Sequence, residues 1–288
     1  MLSALINRIA SSESGIHVSL KAEKLFEVGG VNVTNSMLYG AVVATFISVL
    51  LVVLARKSRV KAVKGPVALV EVIVNYIVGM LEGVFGSREK AYKYTPVYAT
   101  FFIFILFTNS LGLLPIVGPS LEFGGTPLFR PFTADLNGTI VMAVFAIVYV
   151  QYLSIKAQGL KGHLTHYFTD KPLNPINFFI GILEVFGEFT RMISLSLRLF
   201  LNTAVGEILV AVFTSLILSG GRTPIAVLPI ILFELLVAGI QAYVFTVLTA
   251  TYLGLAIAHA HDDEHHDVDA LKVEELSNDV NQKVTTSV

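Results

Sequence analysis

Glu184, Glu188, Arg191, Arg198, Asn202 and Glu207 lie in a stretch otherwise built of Ile, Leu, Val and Phe. From Glu184 the positions Glu188, Arg191, Leu195, Arg198 and Asn202 advance by three or four residues at a time, so they share one face of a helix. One face of such a rod can meet lipid, while this one must meet water, protein or a counter-charge. Arg198 is the decisive member. Its guanidinium keeps its charge in any protein environment, and an arginine at the centre of a membrane helix costs about 2.5–3.5 kcal/mol on insertion scales. It therefore needs a counter-charge. That charge is either an acid from outside the chain, or Glu184, Glu188 or Glu207 within it.

A second set of polar residues lies further on. Glu234 and Gln241 are seven residues apart in another apolar segment, and Tyr252 continues their face. Glu207 follows Arg198 by nine residues, about 13 Å along a helix, which is too far for direct pairing. Glu207 and Glu234 read either as relay carboxylates or as a pair sharing one proton and joining two helices. Asp135 and Asn137 stand at a helix entry, where a cap is the ordinary role; Asp135 as a channel-mouth residue is the alternative. Ser194 and Ser196 are small and polar, which suits close helix approach, and Ser194 sits one turn before Arg198.

The elements that hold these residues are membrane helices. The chain is 54% hydrophobic and 14% charged, with a mean hydropathy of +0.73, and several apolar runs reach the roughly 20 residues that span a bilayer. A transmembrane barrel would alternate over strands of about ten residues, and these runs do not. The fold class expected is all-α and polytopic. With no cysteine, disulfides and thiolate metal sites are excluded. With no tryptophan, tyrosine must supply any interfacial aromatic belt. The N-terminus lacks the pattern of a cleaved signal peptide, and no repeat is visible of the kind that builds inverted-repeat transporters.

In chain order, residues 1–35 are polar and mixed, a surface helix or tail. Residues 36–55 are a first span, closed by Arg56, Lys57, Arg59, Lys61 and Lys64, a cluster that reads as cytoplasmic and puts the N-terminus outside. Residues 66–85 have spanning length, but Glu71, Asn75 and Glu82 share a face and basic residues flank both ends; an interfacial helix on the cytoplasmic surface is expected. Residues 95–117 and 138–155 are further spans, joined by a Gly- and Pro-rich outside loop whose single basic residue is Arg130. The segment 176–218 would run about 65–70 Å as one helix against a hydrocarbon core of about 30 Å, so it folds back as a hairpin or lies strongly tilted. Residues 224–258 form another over-long segment of about 50 Å. The charges close consistently for five passes plus the interfacial helix, with the C-terminus inside. Residues 259–288 read as an acidic, disordered cytoplasmic tail. Its His259, His261, His265 and His266 read as solvated rather than metal-ligating, since no rigid element gathers them, and no metal or other cofactor is expected.

Several of these residues carry a resemblance. Ser194 to Asn202 (SLSLRLFLN) followed by Gly206-Glu207, with Gly239 to Tyr243 (GIQAY) in the last segment, resembles subunit a of the F-type ATP synthase. The NSLGLLP run from Asn109, the Ala134-Asp135-Leu136-Asn137 entry and the PLNPINFFIGILEVFGEFTR approach agree, and the likeness covers about residues 35–258. Two departures stand out. Leu201 occupies a position where the family usually has Gly, and Glu207 and Glu234 are both carboxylates where many bacterial members have a histidine at one of the two.

The resemblance implies a stator that faces a rotating ring of c subunits, each carrying a buried acid, and that ring acid is the partner Arg198 requires. A carboxylate can face lipid only when protonated, and opposite a fixed cation it is favoured as the anion. Arg198 would thus make each ring acid release its proton to one side and reload from the other. Asn202, Glu207, Glu234, Gln241, Tyr252 and Ser194 are assigned to the proton pathway, and Glu184, Glu188, Arg191 and Asp135 to an exit or entry. Arg191 with Glu188 also reads as a plain internal ion pair. The resemblance further implies a b-subunit peripheral stalk and the rest of the synthase as partners, H⁺ or Na⁺ as the ion, no catalysis by this subunit alone and no nucleic acid. The composition of the long charged tail points to a bacterial inner membrane rather than an organelle. The rivals are a proton-coupled secondary transporter, which would show a midplane substrate pocket, and a structural membrane anchor, which leaves the two long polar-striped segments without a purpose.

Overall fold

A computed structural model of the chain describes residues 22–28, 30–57, 65–114, 117, 122–123, 126–168, 175–219 and 227–285. Most of the basic run after the first span lies outside these residues, as do residues 1–21 and the side chains of the tail histidines. Six helices organise what is described: α1 (Asn35–Lys57), α2 (Pro66–Phe85), α3 (Arg88–Gly112), α4 (Leu136–Phe168), α5 (Pro175–Ser219) and α6 (Leu228–Thr285). A stretch of every one is long and apolar enough to cross a bilayer, and the chain is an all-α, multi-pass membrane protein. Its outer surface agrees. Val42, Phe46, Val49 and Val53 on α1 and Val141, Phe145, Val148 and Tyr152 on α4 are exposed at helical spacing, an arrangement that hydrocarbon tolerates and water does not.

Several boundaries differ from the expectations. Upstream of α1 the chain is a β-hairpin rather than a helix or plain tail. Strands β1 (Lys24–Val28) and β2 (Val31–Thr34) pair antiparallel, because two short Val- and Phe-containing runs flank a Gly-Gly pair and Gly30 takes φ +86°. A second, two-residue pairing joins β3 (Glu122–Phe123) to β4 (Thr126–Pro127) within the long loop. Helix α3 begins at Arg88 rather than Thr95: the run from Arg88 to Lys93 is made mostly of helix formers, and Pro96 is accommodated inside. Helix α4 continues to Phe168, with a break at Gly159, whose φ is +77°. Helix α5 is one continuous helix of 45 residues, so the hairpin alternative falls. Helix α6 continues through the tail to Thr285, where a disordered segment was expected. No Gly or Pro follows Gly254, and Ala, Leu, Lys and Glu recur in the tail, so nothing local stops the helix.

The chain divides into two compact units, residues 1–70, 100–141 and 195–245 forming one and residues 71–99, 142–194 and 246–288 the other. In the first unit, Phe132 of the short 3₁₀ turn (Phe132–Ala134) packs closely against its neighbours. A Cβ at Gly40 of α1 would meet its ring at 2.7 Å, and Phe104 of α3 stands against it edge-on with centroids 5.8 Å apart. Polar contacts tie the same elements together. Tyr39 donates to the Thr108 carbonyl oxygen at 2.8 Å, and Ser196 of α5 lies 3.2 Å from the Thr139 hydroxyl of α4. Phe101 of α3 packs against Phe245 of α6 with centroids 5.5 Å apart.

In the second unit, α2 buries Ile77, Val78 and Leu81 and leaves Glu71 and Asn75 exposed. Phe85 packs on Tyr94 of α3 with ring centroids 5.1 Å apart. The fully buried Tyr98 donates to the Thr249 carbonyl oxygen of α6 at 3.3 Å.

Candidate functional site

Helix α5 presents three longitudinal strips in the region of Arg198. Leu195, Ser196 and Leu199 are buried. Ile193, Leu197, Leu201 and Val205 are exposed. Arg198 and Asn202 lie between them, half-exposed, as their 100° helical step from these neighbours requires. The Nη1 atom of Arg198 is nonetheless buried and has no hydrogen-bond partner. Among the described residues no carboxylate lies within ion-pair distance of it: Glu188 is taken by Arg191 at 2.6 Å, and Glu207 faces Arg130 at 3.8 Å. Arg198 is thus a fixed cation at the border of a bare apolar strip, unmatched among the described residues.

The first unit contains a cleft of about 30 Å³, room for about two water molecules. Glu207 and Asn202 of α5, Glu234 of α6, Asn109 of α3 and Pro131 of the loop line it. The two glutamates expected to work together are therefore brought to one place. The close approach rests on Gly206, where a Cβ would collide with the Glu234 carboxylate. Because the group met is the far end of a flexible side chain, Gly206→Ala is expected to swing that carboxylate aside with little change in the melting temperature of the subunit in its complex, but with slowed proton flow.

Buried polar atoms without partners gather in this same unit. They include Nε of Arg130, Nδ2 of Asn109, Nε2 of Gln241 and Nη1 of Arg198. Because a buried donor left unpaired costs about 1–3 kcal/mol, such a group suits a place where water or a moving proton carrier completes the bonding. Gln241 itself is 6% exposed.

Other candidates fall elsewhere. Tyr252, expected to extend the Glu234–Gln241 face, belongs to the second unit, where the Arg191 guanidinium sits over its ring at 5.2 Å. Seven residues carry Glu234 to Gln241, but eleven more separate Gln241 from Tyr252, and the chain passes into the other unit between them. Arg191 also holds Glu188, so the ion pair read from the sequence is present, and Glu184 is half-buried on the same helix. Asp135 is buried, and both its oxygens are engaged: Oδ2 accepts from the Ser36 hydroxyl at 2.6 Å and Oδ1 from the Asn137 N–H at 3.0 Å. That is the cap geometry of α4 rather than an open mouth residue. Ser194 is exposed, and it is Ser196 that makes the helix contact.

Sequence reasoning did not select Arg130 or Asn109. Arg130 is 7% exposed and donates from Nη2 to the Ala134 carbonyl oxygen at 3.2 Å. Asn109 accepts a short hydrogen bond from the Thr133 hydroxyl. The available signal for Arg130 was its isolation, a lone basic residue between aromatic and proline neighbours (FRPF) in a loop otherwise free of positive charge.

The profile of the ATP synthase A chain family matches residues 37–254. The chain belongs to the ATP synthase subunit a family. It is 34% identical over 230 residues to the ATP synthase subunit a of Anaeromyxobacter dehalogenans (strain 2CP-C), covering 76% of this chain and 57% of that one. With the subunit a of Chlorobium phaeobacteroides the identity is 33% over 253 residues, 83% of this chain and 69% of the relative. With that of Moorella thermoacetica it is 32% over 228 residues, 78% and 93%. Against several relatives, including the subunit a 2 of Chlorobaculum tepidum at 49%, the chain spans about half their length. The family match encloses Arg198, Glu207, Glu234 and Gln241 alike, and ATP synthase subunit a is a non-catalytic membrane subunit.

Proposed function

We propose that this chain is the ion-translocating stator of a rotary ATP synthase, with Arg198 as the fixed cation that faces a carboxylate on each passing c subunit. The observation that carries the reading is the buried, unpartnered Nη1 of Arg198 beside the exposed Leu197–Leu201–Val205 strip. An always-charged group with one nitrogen shut off from water and no counter-ion among the described residues is costly, and an acid borne on a partner helix seated against that strip supplies the missing charge. The acid must lose its proton to approach Arg198 and regain it to return to lipid, so proton movement becomes rotation. A permanent cation also keeps protons from crossing directly between the two access routes.

The outer route is assigned to Asn202, Glu207, Glu234 and Gln241, joined by Arg130 and Asn109. The inner route is assigned to Glu184, Glu188, Arg191 and Tyr252. In support, the first set lies wholly in one compact unit and the second set in the other. Ser194, exposed one turn before Arg198, faces the ring in this reading. The chain crosses five times with the N-terminus outside, α2 on the cytoplasmic surface and the C-terminus inside a bacterial inner membrane. Support comes from the lysines at 156, 161 and 171 and the single arginine of the loop between α3 and α4. The c-ring, a b-subunit peripheral stalk and the remaining synthase are its partners, and lipid covers the rest of its surface.

The absence of native cysteine allows a direct test. Asn202→Cys or Ser194→Cys, each paired with a cysteine placed one turn from the ring acid, is expected to crosslink the subunit to c within the assembled complex. Phe145→Cys on the exposed face of α4 is expected not to. Equal crosslinking from all three positions, or from none while the complex is intact, removes the rotor-facing assignment. A transporter or an anchor would also purify without a ring of small proteolipids.

A further inference from the structure

Arg130 has no place in the stator reading drawn from the sequence, yet its surroundings are those of a working group. It is buried in the first unit, carried on the loop just before the turn that enters α4, and its Nη2 lies 3.8 Å from Glu207 Oε2. At that distance the two form a charge contact rather than a closed hydrogen bond. Nη2 donates instead to the Ala134 carbonyl oxygen at 3.2 Å, which fixes the guanidinium plane. Its Nε is buried and unpartnered. The Glu207 side chain keeps 26% exposure and lines the cleft beside Pro131, the residue next to Arg130. One flank of the carboxylate is therefore met by a cation, while the other remains open to the cleft.

We propose that Arg130 is a positioning residue of the outer proton route, holding Glu207 by charge so that its carboxylate faces the cleft shared with Glu234. Two buried carboxylates in one cleft repel each other when both are ionised. A single guanidinium anchored to a loop carbonyl offsets that repulsion from one side only, so it sets where Glu207 stands without occupying its open flank. The competing role is purely architectural, a pin that closes the turn before α4 through Ala134. The two roles part on charge: glutamine also carries an N–H that can reach the Ala134 carbonyl, but it brings no positive charge.

The inference rests on the stator reading, and the experiment separates the two. ATP-driven proton pumping is measured in membrane vesicles carrying the whole synthase and normalised to assembled complex. Arg130→Gln is expected to lower pumping about tenfold, the scale of one charge-assisted contact, with Arg130→Lys recovering most of the loss. Adding Glu207→Gln to Arg130→Gln is expected to cost much less than the same change in the wild-type background. Wild-type pumping by Arg130→Gln, no recovery with lysine, or an equal fold loss from Glu207→Gln in both backgrounds would overturn the proposal. Should Arg130→Gln not assemble, the equally neutral Arg130→Met, with and without Glu207→Gln, gives the same comparison. Arg198→Ala is run in parallel: normal pumping there defeats the stator reading itself, whereas its silence beside a normal Arg130→Gln defeats only the role of Arg130.

Discussion

Arg198→Ala is expected to abolish coupled proton transport while the complex still assembles, a loss of at least about a hundredfold, the scale on which removing a single preorganised electrostatic group acts. The side chain sits at the border of the packed and bare strips of α5, so its removal opens no large cavity in the chain's own interior. What disappears is the cation. Without it a ring acid has no reason to ionise on reaching the stator, and nothing repels protons moving directly between the two routes. ATP hydrolysis should therefore continue without building a pH gradient, or stall where the rotor cannot release its protons. Arg198→Lys is expected to fail nearly as badly. A lysine can discard its charge in an apolar setting and lacks the planar fork that meets a carboxylate with two bonds. Acid-quenched dye fluorescence in vesicles, read beside hydrolysis rates, checks both variants. Pumping at the wild-type rate by either would falsify the role given to Arg198.

Replacing both cleft carboxylates, Glu207→Gln with Glu234→Gln, has the second largest expected effect. Glutamine keeps the shape and the hydrogen-bonding reach of the side chain but cannot accept and pass on a proton. Positioned proton-transfer groups contribute about 10²–10⁴-fold, so the double variant should lose at least about a hundredfold in proton flow. Each single change is expected to cost much less, because the surviving carboxylate lines the same cleft. If the pair only joined α5 to α6 by a shared proton, amide–amide bonding would preserve the link. The double variant would then assemble and conduct normally, and unchanged flux with intact assembly decides for that alternative.

Much of the site was legible from side-chain types alone. The stripe through Arg198 could be read because a helix repeats every 3.6 residues, so three- and four-residue steps place a residue on a face without reference to anything distant. The cost of a guanidinium in hydrocarbon is what singles out that face as the candidate. Pattern carried no such information for Arg130 and Glu207, which are 77 positions apart on a loop and a helix. Nor could it reveal that Gly206 leaves room for Glu234, since the glycine lies on α5 and the carboxylate on α6. Tyr252 shows the same limit in reverse. Its helical phase matches Gln241, but phase says nothing about depth along a helix, and it stands instead against Arg191.

The amino-acid order by itself determined the membrane class, the positions of most of the long apolar helices and the stranded positive charge at Arg198. Each follows from local quantities, transfer cost per residue and helical phase, that need no contact across the chain. Folding alone decided that α5 is one rod instead of a hairpin, that Asp135 is spent on Ser36 and the α4 cap, and that Arg130, Asn109, Glu207 and Glu234 share a single unit. These depend on which surfaces meet after the helices pack, and packing energy is a property of pairs of elements rather than of any one segment.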